Sequence, residues 1–125
     1  MLALALLVAA GVGTGMPAMP AGALTSPGEL LVYYGWPSLI NGATDVAGAA
    51  AEFAAYDFVV LGADVELPTH DDHDTTATII TQPALADTLI FGYINLGATD
   101  PALTLTEVYQ RVDWWQAMGV HGILF

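Results

Sequence analysis

Apolar residues along this chain come in short unbroken runs, Leu30 to Tyr34 (LLVYY), Phe58 to Leu61 (FVVL) and Leu89 to Ile94 (LIFGYI), with a last one opening at His121 and running to Phe125. Each is rich in strand formers and bounded by Gly or turn residues, which predicts four buried strands. The run Phe58 to Leu61 has no polar alternation at all, the pattern of a strand covered on both faces. Between the runs the spacing of apolar residues changes to three and four. Asp45 is placed to cap a helix in which Val46, Ala50, Phe53 and Ala54 share one face. Thr104 with Glu107 three residues on makes a capping box, opening a helix striped by Leu105, Val108, Val112 and Trp115 and closed by Gly119. The segment TTATIIT from Thr75 to Thr81 has the β-branched content of a strand, but Pro83 cuts it short. A parallel neighbour needs a crossover connection, which favours a short helix there.

The resulting order is strand, helix, strand, helix, strand, helix, strand. Such alternation with short links predicts an α/β fold with a parallel βαβαβαβ sheet. A doubly wound sheet and an eight-fold barrel both start this way. No Gly-rich phosphate fingerprint follows the first strand, which weakens a nucleotide reading. Residues 1–28 read as an apolar leader and linker, and residues 29–125 as the domain. The leader run LALALLVAAGVG has the length of a signal-peptide core and is too short to span a bilayer, and Ala21-Gly22-Ala23 offers a cleavage spacing. No Lys or Arg precedes it, so a flexible apolar leader is the competing reading.

Composition narrows the partners. Thirteen acidic residues stand against one basic residue, Arg111, for a net charge of -12. That charge repels phosphate backbones and anionic membranes, so the expectation is no nucleic acid and no membrane beyond a signal peptide. Hydrophobic residues make up 55% of the chain, ample for a core. There is no Cys, which removes disulfides, thiolate nucleophiles and Cys-ligated zinc.

Polar chemistry gathers in one stretch. After the Phe58 to Leu61 strand and Gly62, the loop carries Asp64, Glu66, His70, Asp71, Asp72, His73 and Asp74, where parallel α/β folds put their sites. The His70 to Asp74 cluster raises a metal hypothesis, but its spacing is not a helical H-E-x-x-H and no distant third ligand presents itself. Acids ahead of a helix start explain the cluster better, so no metal or cofactor is expected. Trp115 shares the apolar stripe of its helix, and Trp114, about 100° round, faces elsewhere. His121 opens the fourth strand at the end away from the expected mouth, a structural position. Ser38 has no His-Asp relay near it in sequence.

The stretches LLVYYGWPSLING, FAAYDFVVLGADVELPTHDDH, LIFGYINLG and VDWWQAMGVHGILF carry a Tyr-Gly-x-Pro-Ser turn, a Tyr-Asp pair, Phe-Gly-Tyr and W-x-x-Met-Gly-Val-x-Gly-Ile. In that order they resemble the first half of the glycoside-hydrolase-like (β/α)8 barrels of the spherulation-specific family 4 and polygalactosaminidase-type glycosidases. The resemblance covers Leu30 to Phe125 and implies the N-terminal half of a TIM (β/α)8 barrel, truncated after strand four, since a full barrel needs about 250 residues. In those families strand four runs into an acid important to the site, and here the chain ends at Phe125. What the resemblance implies is therefore a carbohydrate-active, secreted or cell-surface protein, inactive as this fragment.

Glycoside hydrolysis needs two carboxyl groups across the scissile bond. Asp64 is the candidate for one, against the reading that it only holds its own turn. Glu66 is the local substitute for the second, though two acids in one loop more often share solvent than a substrate. Tyr34, Trp36 and Tyr93, near strand ends, are candidate platforms for sugar rings. The alternative puts Tyr93 in a core and Trp36 in a loop wedge. Asn95 either meets a substrate hydroxyl or caps its strand. The rival function is a non-catalytic surface or virion-appendage module that self-assembles, because four open strands leave two unpaired edges and a two-fold homo-oligomer would cover them.

Overall fold

The computed structural model describes residues 28–97 and 102–125. The leader and its cleavage spacing lie outside the described residues. Strands β1 (Leu30–Tyr33), β2 (Phe58–Leu61), β3 (Leu89–Tyr93) and β4 (Gly122–Leu124) alternate with helices α1 (Val46–Phe53), α2 (His73–Ile80) and α3 (Leu105–Met118). All three strand pairings are parallel and the sheet order is β1-β2-β3-β4, without the reversal that marks a doubly wound sheet. The α/β fold and its parallel sheet follow the periodicity.

Helix ends form where the caps predict. The Asp45 carboxylate accepts the Gly48 N–H at 2.7 Å, and Thr104 and Glu107 bond reciprocally as a capping box. Gly119 ends α3 at φ 92°, a left-handed position that a side chain would strain. The TTATIIT segment is helical as expected. Its helix begins two residues earlier, at His73, so His73 and Asp74 lie inside the first turn rather than ahead of it.

The helices pack on one another in succession, α1 on α2 and α2 on α3, as a single layer. Alternation along the strands turns Leu31, Tyr33, Val59, Leu61, Ile90 and Ile123 into that layer, against Ala50, Phe53, Ile79 and Trp115. Gly92, between Leu61 and Ile123 in register, leaves room for the Trp115 indole, whose Cγ would lie 2.6 Å from a Cβ at that position. At the lower end of the sheet His121 is structural: its N–H donates to the Ile90 carbonyl at 2.7 Å and its Nδ1 accepts the Ile90 N–H at 3.0 Å.

Two expectations need correction. Leu105 belongs to the spacing of the α3 stripe but is exposed, as is Ala54 beyond the end of α1. An end position on a helix reaches past the edge of the layer it packs on, whatever its angle around the axis. The reading of strands covered on both faces also fails in part. Val59 and Leu61 are buried on the helix side and Val60 on the other, yet Leu30, Val32, Phe58, Leu89 and Leu124 remain exposed on the side of the sheet away from the helices. Trp114, turned away from the apolar stripe as expected, is half-buried and borders a cleft of about 150 Å³ with Leu67, Leu103 and Arg111.

Candidate functional site

The carboxyl ends of β1, β2 and β3 carry the residues that sequence reasoning selects. Tyr34 follows β1 and leans over Gly62, where an added Cβ would lie 2.6 Å from its Cε1. Its ring meets Tyr93, the last residue of β3, edge to face with centroids 5.6 Å apart. Tyr34 is 58% exposed and Tyr93 half-buried, so the pair meets solvent mainly through Tyr34. Partial desolvation of a largely exposed ring, and then the approach of Tyr93, raise the Tyr34 hydroxyl above its ordinary pKa. Trp36, also exposed, stacks edge-on with His70 at 5.6 Å, so the β1 loop and the β2 loop meet there.

The β2 loop turns abruptly. Ala63 and Asp64 sit at φ 62° and 60°, two successive non-Gly residues in the left-handed region. That turn sends Val65 into the core and brings Asp64 and Glu66 to one cation on α3. Arg111 Nη1 donates to Asp64 Oδ1 at 2.6 Å and to Glu66 Oε1 at 2.8 Å. The two acids are unlike in every other respect. Asp64 is 57% exposed, while the Glu66 side chain is closed off at 0%, with Oε2 lacking a hydrogen-bond partner among the described residues. Burial raises the Glu66 pKa, opposed by its backbone hydrogen bond and by Arg111. The expectation that Glu66 shares solvent with its neighbour is thus overturned: the chain folds over it.

Asn95 caps its own turn, its Oδ1 accepting the Gly97 N–H at 3.0 Å, and the residue is exposed. Among the described residues no hydrogen bond joins Asp64 to Tyr34 or Asn95; the carboxylate is engaged by Arg111.

The acidic and histidine residues from 70 to 74 hold the loop together. Asp72 stands immediately before α2, as expected of an acid ahead of a helix start, and it is buried there. Its Oδ2 accepts the Ser38 N–H at 3.0 Å and the Thr76 hydroxyl at 3.3 Å, tying the β1 loop to α2. His70 Nδ1 accepts the Asp72 N–H at 3.1 Å, and His73 Nδ1 donates to the Val65 carbonyl at 2.9 Å. Among the described residues no three of these side chains converge as metal ligands.

Sequence reasoning missed two residues that organise the site. Arg111 stood out only as the sole cation, with no signal to say what it would reach. Asp72 passed for one acid among several, and only its burial under Ser38 distinguishes it. Compared with known proteins, the chain matches no family model, no curated protein and no solved structure.

Proposed function

We propose that this chain is one half of a (β/α)8-type carbohydrate-active barrel, and that it binds a glycan at the carboxyl ends of its strands. One observation carries the reading. Exposed Tyr34, lying over Gly62, meets half-buried Tyr93 as an aromatic pair at the end of a parallel sheet, where such folds hold their ligands. Flat apolar rings with polar tips suit the faces of sugar rings. Trp36 extends that surface, Asn95 offers its amide to a hydroxyl, and Asp64 supplies a carboxylate whose position Arg111 sets. A secreted or cell-surface setting fits a glycan ligand.

Hydrolysis requires a second carboxyl group facing the first. Glu66 does not supply it, because a substrate cannot touch a sealed side chain. The same fact favours a second reading, a non-catalytic surface or virion-appendage module with a glycan-binding face. Titration calorimetry with amino-sugar and neutral oligosaccharides tests the shared core of both readings. Binding is expected, weakened about tenfold by Tyr34→Ala through loss of one stacked ring, with no reducing ends released. Absence of heat with every sugar, or equal affinity in the variant, contradicts it. Release of reducing ends by this chain would return the second carboxylate to it and remove the non-catalytic reading.

A further inference from the structure

One nitrogen serves two carboxyl groups on the β2 loop. Arg111 Nη1 stands 2.6 Å from Asp64 Oδ1 and 2.8 Å from Glu66 Oε1, and the two acids reach it from opposite environments, Asp64 exposed and Glu66 sealed. When two anions share a cation, each loosens the other's hold, so the charge on one is felt by the other. Among the described residues, Arg111 from α3 and Asp64 from its own loop are the charges that bear on Glu66. Glu107, one turn ahead of Arg111, is engaged by its Thr104 cap, and His73 of α2 by the Val65 carbonyl.

We propose that Glu66 is a positioning residue for Asp64: through the shared Arg111 nitrogen, the charge on Glu66 sets how firmly Asp64 is held beside the strand ends. The difference in burial decides which acid yields. A neutral Glu66 leaves the guanidinium charge to Asp64, which is then pinned. An ionised Glu66 draws Arg111 to itself, because a sealed carboxylate has no water to replace that contact and its Oε2 has no partner among the described residues. Exposed Asp64 exchanges the same contact for water at little cost. Its backbone favours release too, since Ala63 and Asp64 hold successive left-handed conformations. Burial raises the Glu66 pKa, so Glu66 keeps its proton past the ordinary carboxylate range, and Asp64 is let go as pH rises through the raised value. The consequence for a ligand rests on the glycan-binding reading: a freed carboxylate accepts a sugar hydroxyl more readily, and affinity rises with pH. The coupling itself needs no ligand, so the two fail separately.

Carbon-13 NMR of the side-chain carboxyl groups, run on the full chain over a pH series, reads the coupling directly. The Asp64 carboxyl carbon is expected to move in step with the Glu66 titration and to lose that component in Glu66→Gln, which keeps the shape of a protonated Glu66. In Asp64→Asn, with the competing anion gone, the Glu66 midpoint is expected to fall. A Glu66 that only fills space would give neither result. Calorimetry with a neutral oligosaccharide is expected to show affinity rising about fivefold across the same pH window, the lower end of ordinary coupling between sites, and staying level in Glu66→Gln. An Asp64 signal blind to Glu66, or one whose movement persists in Glu66→Gln and so follows His73, would overturn the proposal, as would an unchanged Glu66 midpoint in Asp64→Asn. Sugar affinity level with pH while the two carbons move together would overturn its consequence for the ligand. Absence of sugar binding at every pH would remove the glycan reading, and the carbon signals would still decide the role of Glu66.

Discussion

Arg111 covers Glu66: its Nη1 lies 2.8 Å from Oε1 of a carboxyl group that has no access to solvent and whose second oxygen has no partner among the described residues. Removing one member of such a pair leaves the other stranded. Arg111→Met is expected to cost about 3 kcal/mol at neutral pH, measured by urea unfolding, and the double variant with Glu66→Gln is expected to recover much of it. Equal losses in the single and double variants would mean that the aliphatic stem of Arg111, not its charge, holds α3 to the β2 loop.

The same pair sets a pH dependence. Burial raises the folded-state pKa of Glu66 above its unfolded value, so between those values the folded state binds more protons than the unfolded one. Stability from this group is thus fully present below the unfolded pKa and is lost as pH rises through the folded pKa. Unfolding free energy measured across that window is expected to fall with pH in the natural chain and to be flatter in Glu66→Gln. A steeper fall in Glu66→Gln would contradict the assignment.

The Trp115 indole lies close over Gly92, its Cγ 2.6 Å from where a Cβ would stand. Gly92→Ala forces the indole or the strand to shift, and overpacking of this kind costs about 1 to 3 kcal/mol. A matching drop in midpoint is expected, read in the emission of the buried Trp115. Thermal stability unchanged within error would show that the helix yields freely at that point.

Asp72 acts between loops. Asp72→Ala leaves the part-buried Ser38 N–H without its acceptor, a loss of about 1 to 3 kcal/mol. Because that bond anchors the segment following Trp36, the variant is also expected to loosen the Trp36 and His70 contact and speed hydrogen exchange at Ser38. Exchange at Ser38 as slow as in the natural chain would contradict the link.

Much of the scaffold is written in local patterns. Phe58 to Leu61 is a strand within its expected bounds, Asp45 and the Thr104 box cap their helices, and Gly119 stops α3. These features need only neighbours a few residues away. The site is less legible for the same reason. Glu66 and Arg111 are 45 residues apart, and whether an acid is sealed or wet depends on which way the chain turns at Ala63 and Asp64. Leu105 shows the limit of periodicity, which gives the angle around a helix but not how far the opposing layer extends. The apolar runs say that both faces of the strands avoid water; they do not say what covers the second face.

The most direct test of the account is a titration of the full chain, its tyrosine rings isotope-labelled, with amino-sugar and neutral oligosaccharides, followed by NMR. The account predicts saturable shifts in the ring signals of Tyr34 and Tyr93 while Tyr109, exposed on α3, stays still. Shifts at Tyr109 with none at Tyr34 and Tyr93, or no shift with any sugar, would contradict it.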